Sequence, residues 1–225
     1  MRFIYLFVIS SLLFPSLVKA QKKSRHNIFH IGVNAVSVRS SNAPFIENSY
    51  LKPVINLGFG VDYSLNEKWH FQPEIRYNPR GFQAKFNATD STFASNSLEL
   101  HYLDFCPNFS YVFGNPRSTS TCLSVWGGPY VGLGIVGKNV FSGTTLNAAR
   151  TRADSTFNYT AADFNNGLKR LDYGVNVGAG LQFERFTQIG ISYSMGFNNI
   201  SNSPFREFYN RSWGFYIRVL FDDMF

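Results

Sequence analysis

After its first twenty residues the chain contains no apolar run of the roughly 20 residues that a membrane-spanning helix needs, so helical spans are excluded from the rest. Charged residues are scarce, at 16%. The 2 cysteines, Cys106 and Cys122, lack the close Cys or His spacing of a metal site. The histidines are equally dispersed: His26, His30, His70 and His101 form no pair with helix or strand spacing suited to zinc. No nucleophile-elbow sequence occurs, which removes the usual signature of an exported hydrolase. Gly58-Phe59-Gly60 and Gly132-Leu133-Gly134 lack the strand-to-helix context of a nucleotide site, and in strands such glycines make room for other side chains. No catalytic, cofactor-binding or metal-binding residue is therefore expected, and the chain is not expected to be an enzyme.

What the chain does have is aromatic residues (17%, with 24 Phe and 12 Tyr) and 18 Gly, at a mean hydropathy of −0.12. Many aromatics and glycines without long apolar runs fit a β-barrel better than a bundle or an α/β fold. The first twenty residues stand apart. Arg2 gives a basic start, Phe3 to Leu13 is nearly unbroken apolar sequence, and Val18-Lys19-Ala20 puts small residues before Gln21. That is the pattern of a cleavable signal peptide over residues 1–20, leaving 21–225 as a single barrel domain. No cysteine follows the cleavage point, so lipid anchoring is not indicated. Losing Arg2 and Lys19 takes the formal charge from +7 to +5. An exported chain could bridge its cysteines, but Cys106 lies well up its strand and Cys122 near a turn, so free thiols are expected.

The mature sequence alternates with period two again and again. Ile55, Leu57, Phe59, Val61 and Tyr63 share one face; Asn56, Gly58, Gly60 and Asp62 share the other. Trp69, Phe71, Pro73, Ile75 and Tyr77 likewise oppose His70, Gln72, Glu74 and Arg76, with local distortion expected at Pro73. The pattern returns over Leu103–Phe113, Leu123–Ile135, Tyr173–Phe183, Ile189–Phe197 and Trp213–Phe221. A first strand, Phe29 to Val38, looks less regular, its alternation breaking near Ala35-Val36.

The charges decide between a soluble sandwich and a membrane barrel. From the second strand onward no apolar-face position carries one; Asp62, Glu74, Arg76, Asp104 and Arg218 all lie on the opposite face, and Asp172 joins them. That other face is mostly Gly, Ser, Asn and Gln, which suits a crowded lumen, whereas the outside of a soluble sandwich would be rich in Lys and Glu. A charge on a lipid-facing position near the midplane costs about 2–4 kcal/mol. The links between strands alternate too: short near 64–68, 114–121 and 184–187, long near 39–52, 79–97, 138–168 and 198–210. Short periplasmic turns and long external loops give this alternation. The expectation is a transmembrane antiparallel up-and-down β-barrel of about eight strands in the bacterial outer membrane.

The six interior ionisable residues, Asp62, Glu74, Arg76, Asp104, Asp172 and Arg218, are expected to form a compensated network that plugs the lumen, because eight strands enclose little more than their own side chains. The third long link is polar and expected to be mobile. Arg150, Arg152, Lys169 and Arg170 around it give either a solvated surface or a contact with lipopolysaccharide phosphates or a partner protein. The expected partners are outer-membrane lipid, lipopolysaccharide and an envelope protein; export argues against nucleic acid.

Several segments resemble the PorT-like outer-membrane β-barrel family. Gln72-Pro73-Glu74-Ile75-Arg76-Tyr77 with Pro79-Arg80-Gly81-Phe82 is similar to its QPE-x-x-Y…KG stretch, and Gly128-Pro129-Tyr130-Val131-Gly132 to its GPY-V-G strand. Leu100-His101-Tyr102-Leu103-Asp104-Phe105-Cys106-Pro107 resembles its L-x-Y-L-E-I-P strand, with Phe105-Cys106 in place of a single aliphatic residue. Tyr173-Gly174 through Gly178-Ala179-Gly180 is similar to its D-x-G…G-A-G strand. The resemblance implies an outer-membrane barrel, and more faintly a part in protein secretion. Besides the structural or interaction barrel, the resemblance thus opens the class of a secretion component; a soluble ligand-binding barrel of the periplasm is a third class, disfavoured because its outside would be aromatic-rich and without charge.

Overall fold

Period-two alternation demands different surroundings for the two faces of a strand, and a closed ring supplies them without leaving an edge. The computed structural model describes residues 25–41, 49–89, 92–114, 121–146, 153–162, 164, 167–183, 186–203 and 207–221. The signal-peptide reading of residues 1–20 and the loop residues Arg150 and Arg152 lie outside them. The strands are β1 (Arg25–Ser41), β2 (Ser49–Tyr50), β3 (Lys52–Ser64), β4 (Trp69–Thr89), β5 (Thr92–Phe113), β6 (Cys122–Leu146), β7 (Ala153–Ala162), β8 (Leu171–Phe183), β9 (Thr187–Gly196) and β10 (Glu207–Phe221).

Eight of them form the wall. β1 pairs with β3, β3 with β4, β4 with β5, β5 with β6, β6 with β8, β8 with β9 and β9 with β10, all antiparallel. The ring closes where β10 returns to β1, from Asn27↔Phe221 to Ser41↔Glu207. This is the up-and-down barrel that the alternation implied. The short turns lie at one end together with Arg25 and Phe221. In the first of them Asn66 Oδ1 accepts the backbone N–H groups of Lys68 and Trp69 at 2.9 and 2.8 Å, a local device that asparagine supplies in tight turns.

The long connections differ from expectation. Residues 79–97 were expected to be a link, yet β4 and β5 stay paired out to Thr89↔Thr92. Within 138–168, β6 continues to Leu146 and β7 pairs back along it, from Lys138↔Ala162 to Leu146↔Ala153. Above the lipid, side chains no longer need an apolar face, so the sequence signal fades; the backbone ladder does not depend on it and carries on. Ile135 is the extra residue of a bulge, since His101 pairs Val136 while Tyr102 pairs Gly134. The bulge turns two successive apolar residues, Ile135 and Val136, outward and conceals the alternation there.

β1 is regular after all. Its outward residues are Phe29, Ile31, Val33 and Ala35, and its inward ones Ile28, His30, Gly32, Asn34, Val36 and Val38. The pattern looked broken because Val36 and Val38 point into the barrel. At Pro73 the β3–β4 ladder passes from Gly60↔Glu74 to Tyr63↔Phe71 without the intervening pairs, as a missing N–H requires. The burial is inverted relative to a soluble protein: Phe59 and Ile191 are 64% and 60% exposed, whereas Asp104 and Arg218 are 0% exposed.

Candidate functional site: a charged layer inside the barrel

All six predicted interior residues are buried inside the ring, and they fall into two clusters. The first centres on Glu74. Arg76 donates to both its carboxylate oxygens at 2.9 Å, and Arg218 Nη2 lies 2.9 Å from Oε1. Asn108 donates to Oε1 at 3.2 Å and His30 Nδ1 stands 3.5 Å from Oε2. Arg218 also donates to His30, Gln72 and Gln188 at 3.2, 3.2 and 3.4 Å. Its guanidinium lies 4.1 Å over the Trp126 ring, whose indole N–H donates to Tyr216 at 2.8 Å. Asp62 sits at the edge of this cluster, 3.0 Å from His70 Nδ1 and 3.4 Å from Gln72 Nε2.

The second cluster centres on Arg80. It joins Asp104 in a short ion pair and Asp172 at 2.9 Å, and its guanidinium lies between the rings of Tyr102 and Tyr130, 4.5 Å from each. Asn78 donates to Asp104 at 2.8 Å; Asn210 and Tyr130 donate to Asp172 at 2.8 and 3.2 Å. Glycine makes both clusters possible. A Cβ on Gly132 would stand 2.3 Å from Asp104 Oδ1, and one on Gly178 would stand 2.5 Å from the Trp126 ring.

Besides the six predicted residues the ionisable members of the network are Arg80, His30 and His70. Arg80 continues the inward parity of Glu74, Arg76 and Asn78, so period two extended four residues beyond Arg76 would have found it. The Pro-Arg-Gly-Phe stretch read as the start of a loop and hid it. The alternation puts Tyr216 on the inward face of its strand; which guanidiniums the rings of Tyr102, Trp126, Tyr130 and Tyr216 meet is set by the register.

The lumen is also less uniformly polar than its composition suggested. Ile28, Val112, Cys122 and Leu220 are buried apolar residues at the end of the short turns. At the far end Val38, Phe82, Ala84, Leu98, Leu100, Tyr102, Phe164, Leu168 and Ile200 form an apolar roof, with Phe208 packed against it. Phe164 and Leu168 come from the link read as polar and mobile. Lys169 and Arg170 help fasten that segment, donating to the backbone carbonyls of Asn199 and Gly134 at 3.0 and 3.3 Å. Both cysteines are buried, and the register sets Cys122 at the Phe113 end of β5, away from Cys106. Among the described residues no group of three His, Cys, Asp or Glu is arranged to hold a metal ion.

A closed antiparallel ring whose lipid-spanning stretch is apolar outside and carries its charges within defines a transmembrane β-barrel. Residues 19–202 match the family model described as the outer membrane protein beta-barrel domain. The chain belongs to that family and is a protein of the bacterial outer membrane. Solved structures similar in shape include Ail, the attachment invasion locus protein of Yersinia pestis, in complex with the heparin analogue sucrose octasulfate. It is 12% identical, the match covers 88% of this chain and 99% of that one, and the TM-score is 0.43. The N-terminal β-barrel domain of Pseudomonas aeruginosa OprF is 13% identical over 85% of this chain and 97% of that one, at TM-score 0.33. P. aeruginosa OprG is 14% identical over 88% and 97%, at TM-score 0.35. At these values the likenesses say nothing about role. No curated protein matches the chain in sequence.

Proposed function

We propose that this protein is a sealed structural or interaction barrel, non-catalytic, that meets lipid, lipopolysaccharide or an envelope protein through its extracellular strands. The observation that carries this reading is the burial of the inward side chains. A water-filled lumen would leave them accessible, yet Arg218, Tyr102, Asp104 and Asp172 are all 0% exposed. Function then falls to the outside, where β4, β5, β6 and β7 extend as paired strands beyond the barrel wall. The test is reconstitution of the purified barrel into planar bilayers. No conductance is expected; stable single-channel steps would refute a sealed lumen.

A finer reading is that this barrel is PorT-like. The residues that carry the resemblance are largely interior ones: Glu74 and Arg76 from one motif, Asp104 from the second, Tyr130 and Gly132 from the third. Shared motifs of this kind favour a shared barrel interior over a shared task. A secretion role is the second reading, and normal export of other proteins after gene deletion would reject it. Export of the chain itself is assigned to residues 1–20, for which the mature N-terminus is expected at Gln21.

A further inference from the structure

The outward face acquires charge at its extracellular border in two places, and they are built differently. On the β3–β6 side Lys52 and Lys138 have a counter-charge within the chain. Lys52 Nζ lies 3.1 Å from Glu99 Oε2, His101 lies 3.6 Å from Glu99 Oε1, and Lys138 stands opposite Glu99 in the register. On the β1–β10 seam this is not so. Arg39 and Arg211 share the outward parity of Val33 and Trp213; Arg39 stands opposite Tyr209, and Arg211 opposite Ser37. Among the described residues neither arginine makes an ion pair, and Arg211 Nε is buried with no hydrogen-bond partner. The acid on the same seam, Glu207, accepts the Tyr209 hydroxyl at 3.4 Å.

Their depth is fixed by strand length. A tilted strand crosses the bilayer in roughly 9–11 residues, which Trp213–Phe221 on β10 and Asn27–Ala35 on β1 supply. Arg211 therefore lies at the border itself, directly above the Tyr193–Trp213 ring pair, whose centroids are 4.7 Å apart, and Arg39 stands two residues further out on the neighbouring strand. Diagonal neighbours on adjacent strands are about 7–8 Å apart, close enough for two guanidiniums to hold one tetrahedral anion. Below them the outward residues of β1 are small: Ser37, then Ala35, which is flanked by Trp213 on one side and Pro53 on the other. Little side-chain bulk therefore stands on this stretch of β1 between the arginines and the Val33–Phe215 pair.

We propose that this seam binds a phosphate-bearing lipid of the outer leaflet. Its phosphate lies between Arg39 and Arg211, and an acyl chain descends over Ala35 toward Val33 and Phe215. The inference rests on the interaction reading above, with lipid as the partner, but not on the sealed lumen. The test compares thermal unfolding of the detergent-folded barrel titrated with diphosphoryl lipid A, with its dephosphorylated form, and with inorganic pyrophosphate. The variants are Arg39→Ala/Arg211→Ala and a charge-matched control, Lys85→Ala/Lys138→Ala.

Diphosphoryl lipid A is expected to raise the melting temperature of wild type and control alike. In the arginine variant the midpoint of that response should lie at about tenfold or more higher lipid concentration. If the double variant does not fold, Arg39→Gln alone provides the comparison, since Arg39 is exposed. An unchanged response in the arginine variants would overturn the site. So would an equal loss in the lysine control, or an equal shift from pyrophosphate. Conductance together with a retained lipid response would sink the sealed-barrel reading and leave this site standing.

Discussion

Replacing Glu74 with glutamine preserves the side chain's shape and removes its charge, in surroundings that let the consequence be worked out. Two guanidiniums approach the carboxylate, Arg76 at 2.9 Å through two hydrogen bonds and Arg218 at 2.9 Å, and Arg218 is 0% exposed. After the substitution these cations face each other across a neutral amide. At a separation of about 5 Å and an effective dielectric of about 20, their repulsion is about 3 kcal/mol. Stripping the partner from a buried ion pair costs about 3–5 kcal/mol, which agrees. Arg218→Met is a milder change: Glu74 keeps both bonds from Arg76, and an apolar side chain of similar length stays against Trp126. A loss of about 1–3 kcal/mol is expected there. The assay is urea unfolding of the barrel folded in detergent micelles, followed by tryptophan fluorescence and by migration of unboiled samples on gels. The reasoning fails if Glu74→Gln lies within about 1 kcal/mol of wild type, or if Arg218→Met is the more damaging of the two.

Two further outcomes follow. Gly81 sits in β4 with φ 134°, and a Cβ there would stand 2.1 Å from the Leu98 carbonyl oxygen. Gly81→Ala should therefore lower stability by about 1–3 kcal/mol in the same urea assay, and a neutral result would mean that the β4–β5 strands yield easily at this point. Outside the membrane span, the hydrogen bond from Lys52, reinforced by its charge, holds the Glu99 carboxyl below the usual carboxylate range. A carboxyl depressed by folding contributes stability above its unfolded pKa and loses it as pH falls through the folded value. Lys52→Met should thus melt slightly earlier at neutral pH, by the less than about 1 kcal/mol of an exposed pair, and match wild type in acid. A gap that persists at low pH would assign the effect to packing instead.

The fold was legible in the sequence to an unusual degree because a membrane barrel writes its two solvents onto alternate residues. Leu57, Phe59, Ile75, Phe105, Val177, Ile191 and Phe215 announce lipid by excluding charge, while Asp62, Glu74, Arg76 and Asp104 announce an interior because lipid would not accept them. Legibility failed wherever a residue's surroundings were set by something other than that contrast. Val38, Leu98 and Phe164 face inward yet are apolar, because they close the barrel mouth against one another. Ile135-Val136 broke the alternation because a bulge shifts the register. Residues 79–97 lost the pattern because lipid no longer touches them.

By itself, then, the sequence determined the barrel, its approximate strand number, the direction of its faces and the six ionisable residues of its interior, since each follows from the period of two. Tertiary structure alone decided which charges meet. Strand pairing across the ring brings Arg218 of β10 to Glu74 of β4 and Arg80 of β4 to Asp172 of β8, residues far apart in the chain. Only the closed register, too, could show that Lys52 and Lys138 stand against Glu99 while, among the described residues, Arg39 and Arg211 make no ion pair. Which strands stand side by side is a property of the ring, and no local pattern encodes it.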